Sequence, residues 1–274
     1  MKLIESSVQI IEEKDPYKMI ELAGRTCYKS EDKITENSAK EFVDRMIKLG
    51  HGAMLEHGTI YLKIDKTEDG HLPPARLYWS DGNHKKYTRV RKHGNSIYVT
   101  TNLRVIVEND RLDDLQYQVE PTEHHEKRIT AKFICDRGVS HEFVRHRVFS
   151  FAQESTRYCN YSKDKFGNEL TFIKPSWGYF KNISYKDAGY FDGDVFESSL
   201  KKAESCYFKL IEKGWKPQQA RAVLPNATKT ELVMTGFESD WEGFFKLRCS
   251  GAAHPDAQKL ANELKELLTN VKNN

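Results

Sequence analysis

The apolar positions of this chain change period repeatedly, and each change marks an element. Over residues 3–11 apolar and β-branched side chains crowd together, which predicts one opening strand. After Asp15-Pro16 the spacing turns helical, with Met19, Ile20, Leu22 and Ala23 on one inward face. A second helix is predicted from Ser38, whose spacing to Glu41 suits a capping box; Phe42, Met46 and Leu49 form its stripe and Gly50 its stop. Strand texture returns at 59–64, 129–135, 170–173 and 231–235, the last ending in Gly236. A short helix is predicted over 138–144 and a long one over 194–213, with Phe196, Leu200, Ala203, Tyr207, Leu210 and Ile211 inward. Pro217 opens a helix over 218–224, Ser239-Asp240 caps another that runs to Arg248, and Pro255 opens the last. In that last helix Ala257, Leu260, Ala261, Leu264 and Leu268 form the core face.

Between 65 and 127 the pattern breaks, interrupted by Pro73-Pro74, Gly82-Asn83 and Gly94-Asn95. Within it, 86–90 and 96–107 read as two strands about a His-Gly-Asn turn, made basic by Lys85, Lys86, Arg89, Arg91, Lys92 and His93. A solvated hairpin edge defended by charge is one reading, and a nucleic-acid-binding ribbon is its competitor. We read 65–128 as an insertion in a single domain spanning 1–274. The element order predicts an α/β (α+β) fold, a mostly antiparallel central sheet flanked by helices.

Composition narrows the class. The chain has 274 residues, 38% hydrophobic and 30% charged, which suits a globular protein with a charged surface. No run of eighteen apolar residues exists, and acidic residues near the start argue against an export signal. Five scattered cysteines without a C-x-x-C pair fit a reducing cytoplasm and argue against structural zinc. His51 and His57 are six apart, neither a helical nor a strand spacing, and His141 and His146 miss a shared helical face, so no metal is expected. A formal net charge of +3 is too small to imply nucleic acid.

Local charge is more telling. Residues 145–158 read RHRVFSFAQESTRY, with Arg145, Arg147 and Arg157 interleaved with Phe149, Phe151 and Tyr158. Guanidinium groups suit phosphate or carboxylate, so this run predicts an anion grip near a buried ligand. If the run is extended, Ser155 and Arg157 share a face, as do Arg145 and Arg147, with His146 opposite. Arg221 and Arg248 lie in apolar helical stretches, where each needs either an ion-pair partner or an anionic ligand. Cys159 reads as a core thiol, since nothing beside it but diffuse positive charge would activate it.

Arg145-His146-Arg147, seven residues, Ser155, then Arg157-Tyr158 resembles the signature of flavin-dependent thymidylate synthases. Three further blocks are similar in order: Gly50-His51 with Glu56-His57; Gln219-Ala220-Arg221 through Asn226-Ala227-Thr228; and Leu247-Arg248 followed by His254. The resemblance implies a homotetramer with shared active sites that binds FAD, reduced by NADPH, and converts dUMP to dTMP with 5,10-methylenetetrahydrofolate. It places His51, Ala53, Glu56, Arg145, His146, Arg147, Val148, Gln153, Phe237, Ser239, Gly243 and His254 at the flavin. It places Glu142, Arg145, Gln153, Glu154, Ser155, Thr156, Arg157, a neighbouring subunit's Arg221 and Arg248 at dUMP. Arg248 is then the catalytic residue, set against the uracil ring. The chain departs from the family's usual Ser or Thr at Ala53, Gln at Glu142, Asn at Phe237, and Asn or His at Gly243. Two other readings stand beside this one: a noncatalytic nucleic-acid-binding protein, and a related flavoprotein acting on another pyrimidine nucleotide.

Overall fold

The computed structural model describes residues 1–68, 70–71, 78–79, 87–163, 166–177 and 192–273. The chain opens with β1 (Lys2–Ile4) and β2 (Ser7–Ile11), two strands where the apolar run predicted one. They part because they join different sheets, a division that no local pattern encodes. Helix α1 (Pro16–Tyr28) begins as expected: Asp15 Oδ1 accepts from Tyr17 N at 2.8 Å and Lys18 N at 3.3 Å. Helix α2 (Ser38–Lys48) starts at Ser38, but without the predicted capping box. The Ser38 hydroxyl instead donates to Glu21 Oε2 at 2.8 Å, joining α2 to α1. Gly50 closes that stretch at φ 67°, followed by the single turn α3 (Gly52–Leu55) and strand β3 (Thr59–Asp65).

Strands β4 (Arg89–His93) and β5 (Ser96–Asn102) pair with β3 in the order β3-β5-β4, all antiparallel. Lys85 and Lys86, read as part of the basic hairpin, lie outside the described residues. The solvated, charged edge expected of the hairpin is β4, exposed from Val90 to His93, whereas β5 is buried along its whole length. Strand β5 also ends earlier than predicted, because Leu103–Glu108 is a helix, α4. The Asn102 side chain accepts from Val105 N at 3.1 Å and starts that helix, a capping signal the apolar run concealed. Ile60, Leu62, Ile64, Ile97 and Val99 pack with Trp79 and Phe42 into one core.

The larger sheet forms around β6 (Arg128–Asp136), which leads into α5 (Arg137–Phe143) and, after a turn, β7 (Ser150–Gln153). A short strand β8 (Thr171–Ile173) runs parallel to β1, beside α6 (Asp192–Glu212). Helix α7 (Pro217–Ala220) continues as a 3-10 turn over Arg221–Val223, so the single helix predicted there is two short pieces. Strand β9 (Lys229–Phe237) then completes an antiparallel sheet ordered β2-β6-β9-β7. Helices α8 (Glu238–Arg248) and α9 (Pro255–Asn273) end the chain. Alternation along β9 divides its residues between two layers. Leu232 and Met234 meet Trp241, Phe244 and Leu260, while Val233 meets Met19 and Ala23 of α1. The fold is the mixed α/β arrangement of mostly antiparallel strands that the element order implied.

Gly236 lies beneath the Phe149 ring: a Cβ there would sit 2.4 Å from Phe149 Cδ1. Gly236→Ala is expected to destabilise the protein by roughly 1–3 kcal/mol through overpacking. Denaturant unfolding measures this, and an unchanged midpoint would show that Phe149 is not seated there.

Candidate active site

The signature run is organised by β7, a strand of only four residues. Neither flank is extended, contrary to the sequence reading: Arg145 and His146 turn out of α5, and Ser155–Arg157 form a second turn past the strand. Turns win because backbone hydrogen bonds close them, His146 N to Phe143 O at 3.1 Å and Tyr158 N to Ser155 O at 3.2 Å. Four residues at a strand rise of ~3.3 Å hold the two turns about 13 Å apart.

At the first turn, Arg248 from the end of α8 reaches back to α5. Its Nη1 lies 2.5 Å from Glu142 Oε2, its Nη2 donates to Glu142 O at 2.8 Å, and its Nε donates to His146 Nε2 at 2.9 Å. The ion pair expected for an arginine in this helix therefore exists, and its partner is Glu142. Accepting from Arg248 requires a lone pair on Nε2, so the remaining proton of a neutral His146 sits on Nδ1. Burial against Phe244, then the Arg248 charge, lowers the His146 pKa to about 4. Arg145, Arg147 and Val148 are exposed, and among the described residues neither arginine has a carboxylate partner.

At the second turn, Ser155 N donates to Cys27 O at 3.0 Å, anchoring the turn to the end of α1. Buried Glu154 accepts from Tyr161 Oη at 3.0 Å and from Lys229 Nζ at 2.8 Å. Gln153 donates to Ser140 Oγ at 2.8 Å and Thr230 Oγ1 at 3.2 Å. Arg221 Nη1 donates to buried Thr156 Oγ1 at 3.3 Å within one chain, and Arg157 Nε donates to Gln218 Oε1 at 3.3 Å. Arg157 and Arg221 are thus brought to one turn, exposed and without an acidic partner among the described residues. Arg221 was expected to need either an ion pair or a ligand, and exposure removes the first requirement. Cys159 is buried, its thiol enclosed in the core.

The remaining predicted residues divide. His51 and Ala53 are exposed on α3, whereas Glu56 is held by Arg104 Nη1 at 2.6 Å. Phe237 is only 3% exposed, with the Arg89 guanidinium 4.2 Å from its ring centroid. Ser239 Oγ donates to Glu126 at 2.5 Å, and Gly243 is exposed with no atom within 4 Å of a built Cβ. His254 packs edge-on against Trp177, with ring centroids 5.3 Å apart. Among the described residues no group of three potential ligands could hold a metal.

Sequence reasoning missed the groups that hold this site in place. Glu231 is gripped by Lys29 at 2.8 Å and by Lys132 and Lys229 at 2.5 Å each. Burial would raise its carboxyl pKa, but the three ammonium groups outweigh that and hold it below the usual range. The signal was present: an acid inside the apolar strand ELVMTG demands a partner. Arg128 was also missed. Its Nη1 donates to Glu56 O at 2.9 Å and Thr59 Oγ1 at 3.3 Å, and its Nη2 to Ser150 Oγ at 3.3 Å. Burial lowers its pKa to about 10, which leaves it charged at neutral pH. A cleft of about 890 Å³ beside β2 and β3 includes Arg128 and His57 in its lining but none of the Arg248 cluster.

These arrangements meet an independent finding. A family model described as thymidylate synthase complementing protein, Thy1, matches residues 9–69 and 116–272. The chain belongs to this family. Among its relatives, the flavin-dependent thymidylate synthase of Geobacter sulfurreducens is 23% identical over 263 residues, covering 94% of this chain and 79% of that protein. That of Sulfurisphaera tokodaii is 31% identical over 135 residues, covering 49% of this chain and 47% of that protein. A solved structure, a UMP/dUMP methylase PolB from Streptomyces cacaoi with bound 5-Br dUMP, is 15% identical, covers 98% and 93% of the two chains, and has a TM-score of 0.44. The family match skips residues 70–115, which contain β4, β5 and α4.

Because the folded pKa of His146 lies below its ordinary 6.5, the unfolded chain takes up the proton first on acidification. Stability from neutral His146 is therefore present above pH 6.5 and is lost as pH falls toward about 4. An NMR titration is expected to place its midpoint near 4 in the wild type and higher in Arg248→Ala. A wild-type midpoint at the ordinary value would mean that His146 does not face Arg248.

Proposed function

We infer that the chain is a flavin-dependent thymidylate synthase that methylates dUMP to dTMP with 5,10-methylenetetrahydrofolate and FAD reduced by NADPH. The observation that carries this reading is the division of arginines about β7. Arg145 and Arg147 flank one turn with no acidic partner among the described residues, Arg157 and Arg221 border the other, and Arg248 is locked 2.5–2.9 Å from Glu142 and His146. Water solvates exposed guanidinium groups, but clustered like charges repel one another and favour an anion between them. Two such sites about 13 Å apart on a short strand suit a dinucleotide and a mononucleotide.

Arg145 and Arg147 fit the anionic part of FAD, with the turn at Val148 beside them; the flavin, once reduced by NADPH, would supply the reducing hydride. Arg157 would grip the dUMP phosphate together with Arg221, expected from a neighbouring subunit but brought to the same turn within one chain, each able to offer paired N–H groups. The Ser155 turn is already fixed by Cys27 O, and Glu154 by Lys229 and Tyr161, so little ordering remains for binding to offset. Arg248 would face the uracil ring and stabilise negative charge developing there, which makes C5 nucleophilic. Neutral His146 and the Glu142 carbonyl fix the plane of that guanidinium without adding charge. The Glu142 carboxylate, where the family often has Gln, is compensated by Arg248 itself and so does not oppose an anionic nucleotide unaided.

We place the active site between subunits of a homotetramer and the protein in the cytoplasm; no helix among the described residues is long and apolar enough to cross a membrane. Against the nucleic-acid reading, Arg89 of the basic hairpin is turned onto Phe237 and Asp240.

The purified protein is expected to be yellow, to oxidise NADPH faster with dUMP present, and to form dTMP when methylenetetrahydrofolate is added. A colourless preparation that ignores dUMP even after FAD is supplied would overturn the reading. Arg248→Ala is expected to lower dTMP formation by on the order of 10²-fold or more while flavin absorption persists. Near-normal turnover would remove Arg248 from the chemistry.

A further inference from the structure

The segment that the family model leaves unmatched, 70–115, sends two arginines onto the two stretches assigned above to the flavin. From α4, Arg104 Nη1 donates to Glu56 Oε1 at 2.6 Å, while its Nε donates to Glu108 Oε1 at 2.7 Å. The same helix is tied to the main chain behind Glu56, since Leu103 N donates to Gly58 O at 2.9 Å. From β4, Arg89 lays its guanidinium 4.2 Å from the Phe237 ring centroid. Its Nη2 lies 3.4 Å from Asp240 Oδ1 and its Nε 3.4 Å from Glu126 Oε2. These contacts converge on the start of α8, where Asp240 Oδ2 accepts from Phe237 N at 3.3 Å and Ser239 is bound to Glu126.

We propose that this inserted segment is a brace for the cofactor side of the site, with Arg89 and Arg104 as its positioning residues. The proposal rests on the flavin reading above. Two physical effects support it. The first is geometric. Arg89 lies on β4, which pairs with the fully buried β5, and Arg104 lies on α4, which follows β5 directly, so both present rigid contacts to α3 and to the start of α8. The second is electrostatic. Glu56, Glu126 and Asp240 are carboxylates beside segments that would hold a cofactor carrying phosphates, and left alone they would repel it. Arg104 and Arg89 compensate them.

One departure from the family pattern meets the insertion at this point. Phe237 stands where the family often has Asn, and an aromatic face is what a guanidinium can lie upon. With the ring buried beneath Arg89, position 237 contributes a stacking platform for the brace rather than an amide for the ligand. Arg128 completes the frame from below, binding Glu56 O and Ser150 Oγ across the two sheets.

The test compares Arg89→Met and Arg104→Met, which keep an aliphatic stem, with Arg91→Met on the same hairpin, whose guanidinium among the described residues reaches Glu123 O at 3.3 Å and no acid. Flavin fluorescence gives the FAD dissociation constant, calorimetry gives that of dUMP, and a thermal melt reports folding. Each of the first two variants is expected to weaken FAD binding about five- to tenfold. The dUMP constant should stay within about twofold, and Arg91→Met should match the wild type. Unchanged FAD affinity in both braced positions, or equal losses for FAD and dUMP, would overturn the proposal. If either Met variant fails to fold, Arg89→Lys and Arg104→Lys take its place; they keep charge but lose the planar fork, and an FAD loss confined to flavin binding is again the expected result. A wild-type protein that takes up no FAD would remove the functional reading and this inference together, whereas a flavin-binding wild type with unaffected variants removes the inference alone.

Discussion

A single carboxylate in the middle of the central sheet sets the position of everything around the second turn. Glu231 lies on β9 with almost no solvent, and its charge is tolerable only because Lys229, Lys132 and Lys29 surround it. The three ammonium groups come from β9, β6 and the residue that ends α1. Removing one partner of such a buried pair typically costs about 3–5 kcal/mol, because the survivor keeps its desolvation penalty. The grip therefore fixes the end of α1 against the sheet. From that end Cys27 offers the carbonyl that receives Ser155 N, so one buried charge determines where the Ser155–Arg157 turn stands.

The same accounting separates the arginines by purpose. Those that meet neutral acceptors or carboxylates inside the protein are framework: Arg128 between the two sheets, Arg104 on Glu56, Arg89 on Phe237. Arg145, Arg147, Arg157 and Arg221 are exposed and have no acidic partner among the described residues, and these are the groups proposed above to meet anions. Arg248 belongs to both groups, locked by Glu142 and His146 yet placed at the edge of the site. Its fixed plane matters for the chemistry proposed here, since a charge that is already oriented needs no reorganisation when negative charge develops.

Much of the framework was legible along the chain. Helices α1, α2, α6, α8 and α9 and strands β3, β6 and β9 announce themselves by period, proline and glycine. What failed did so where tertiary partners outweigh local pattern. The opening apolar run became two strands because each half hydrogen-bonds to a different sheet. Asn102 cut β5 short by capping α4, and the signature arginines turned rather than extended because β7 pairs over only four residues. Ser38 spent its hydroxyl on Glu21 of another helix instead of on its own N-terminus.

By itself the sequence determined the chemistry available: the Arg145–His146–Arg147 and Ser155–Arg157 groups, the helix carrying Arg248, and the strand periods that build a mostly antiparallel sheet. Side-chain type and spacing are local properties, and period follows from backbone geometry alone. Only the tertiary structure decided which charges neutralise which. The contacts of Glu142 with Arg248, Glu231 with three lysines and Phe237 with Arg89 join residues 106, up to 202 and 148 positions apart. Apart from Lys229, two residues from Glu231 on the same strand, no short window along the chain contains these pairs, because compensation of buried charge depends on distance in space. That is why a concentration of positive charge was visible at once, while the division between arginines held by acids inside the fold and arginines left exposed was not.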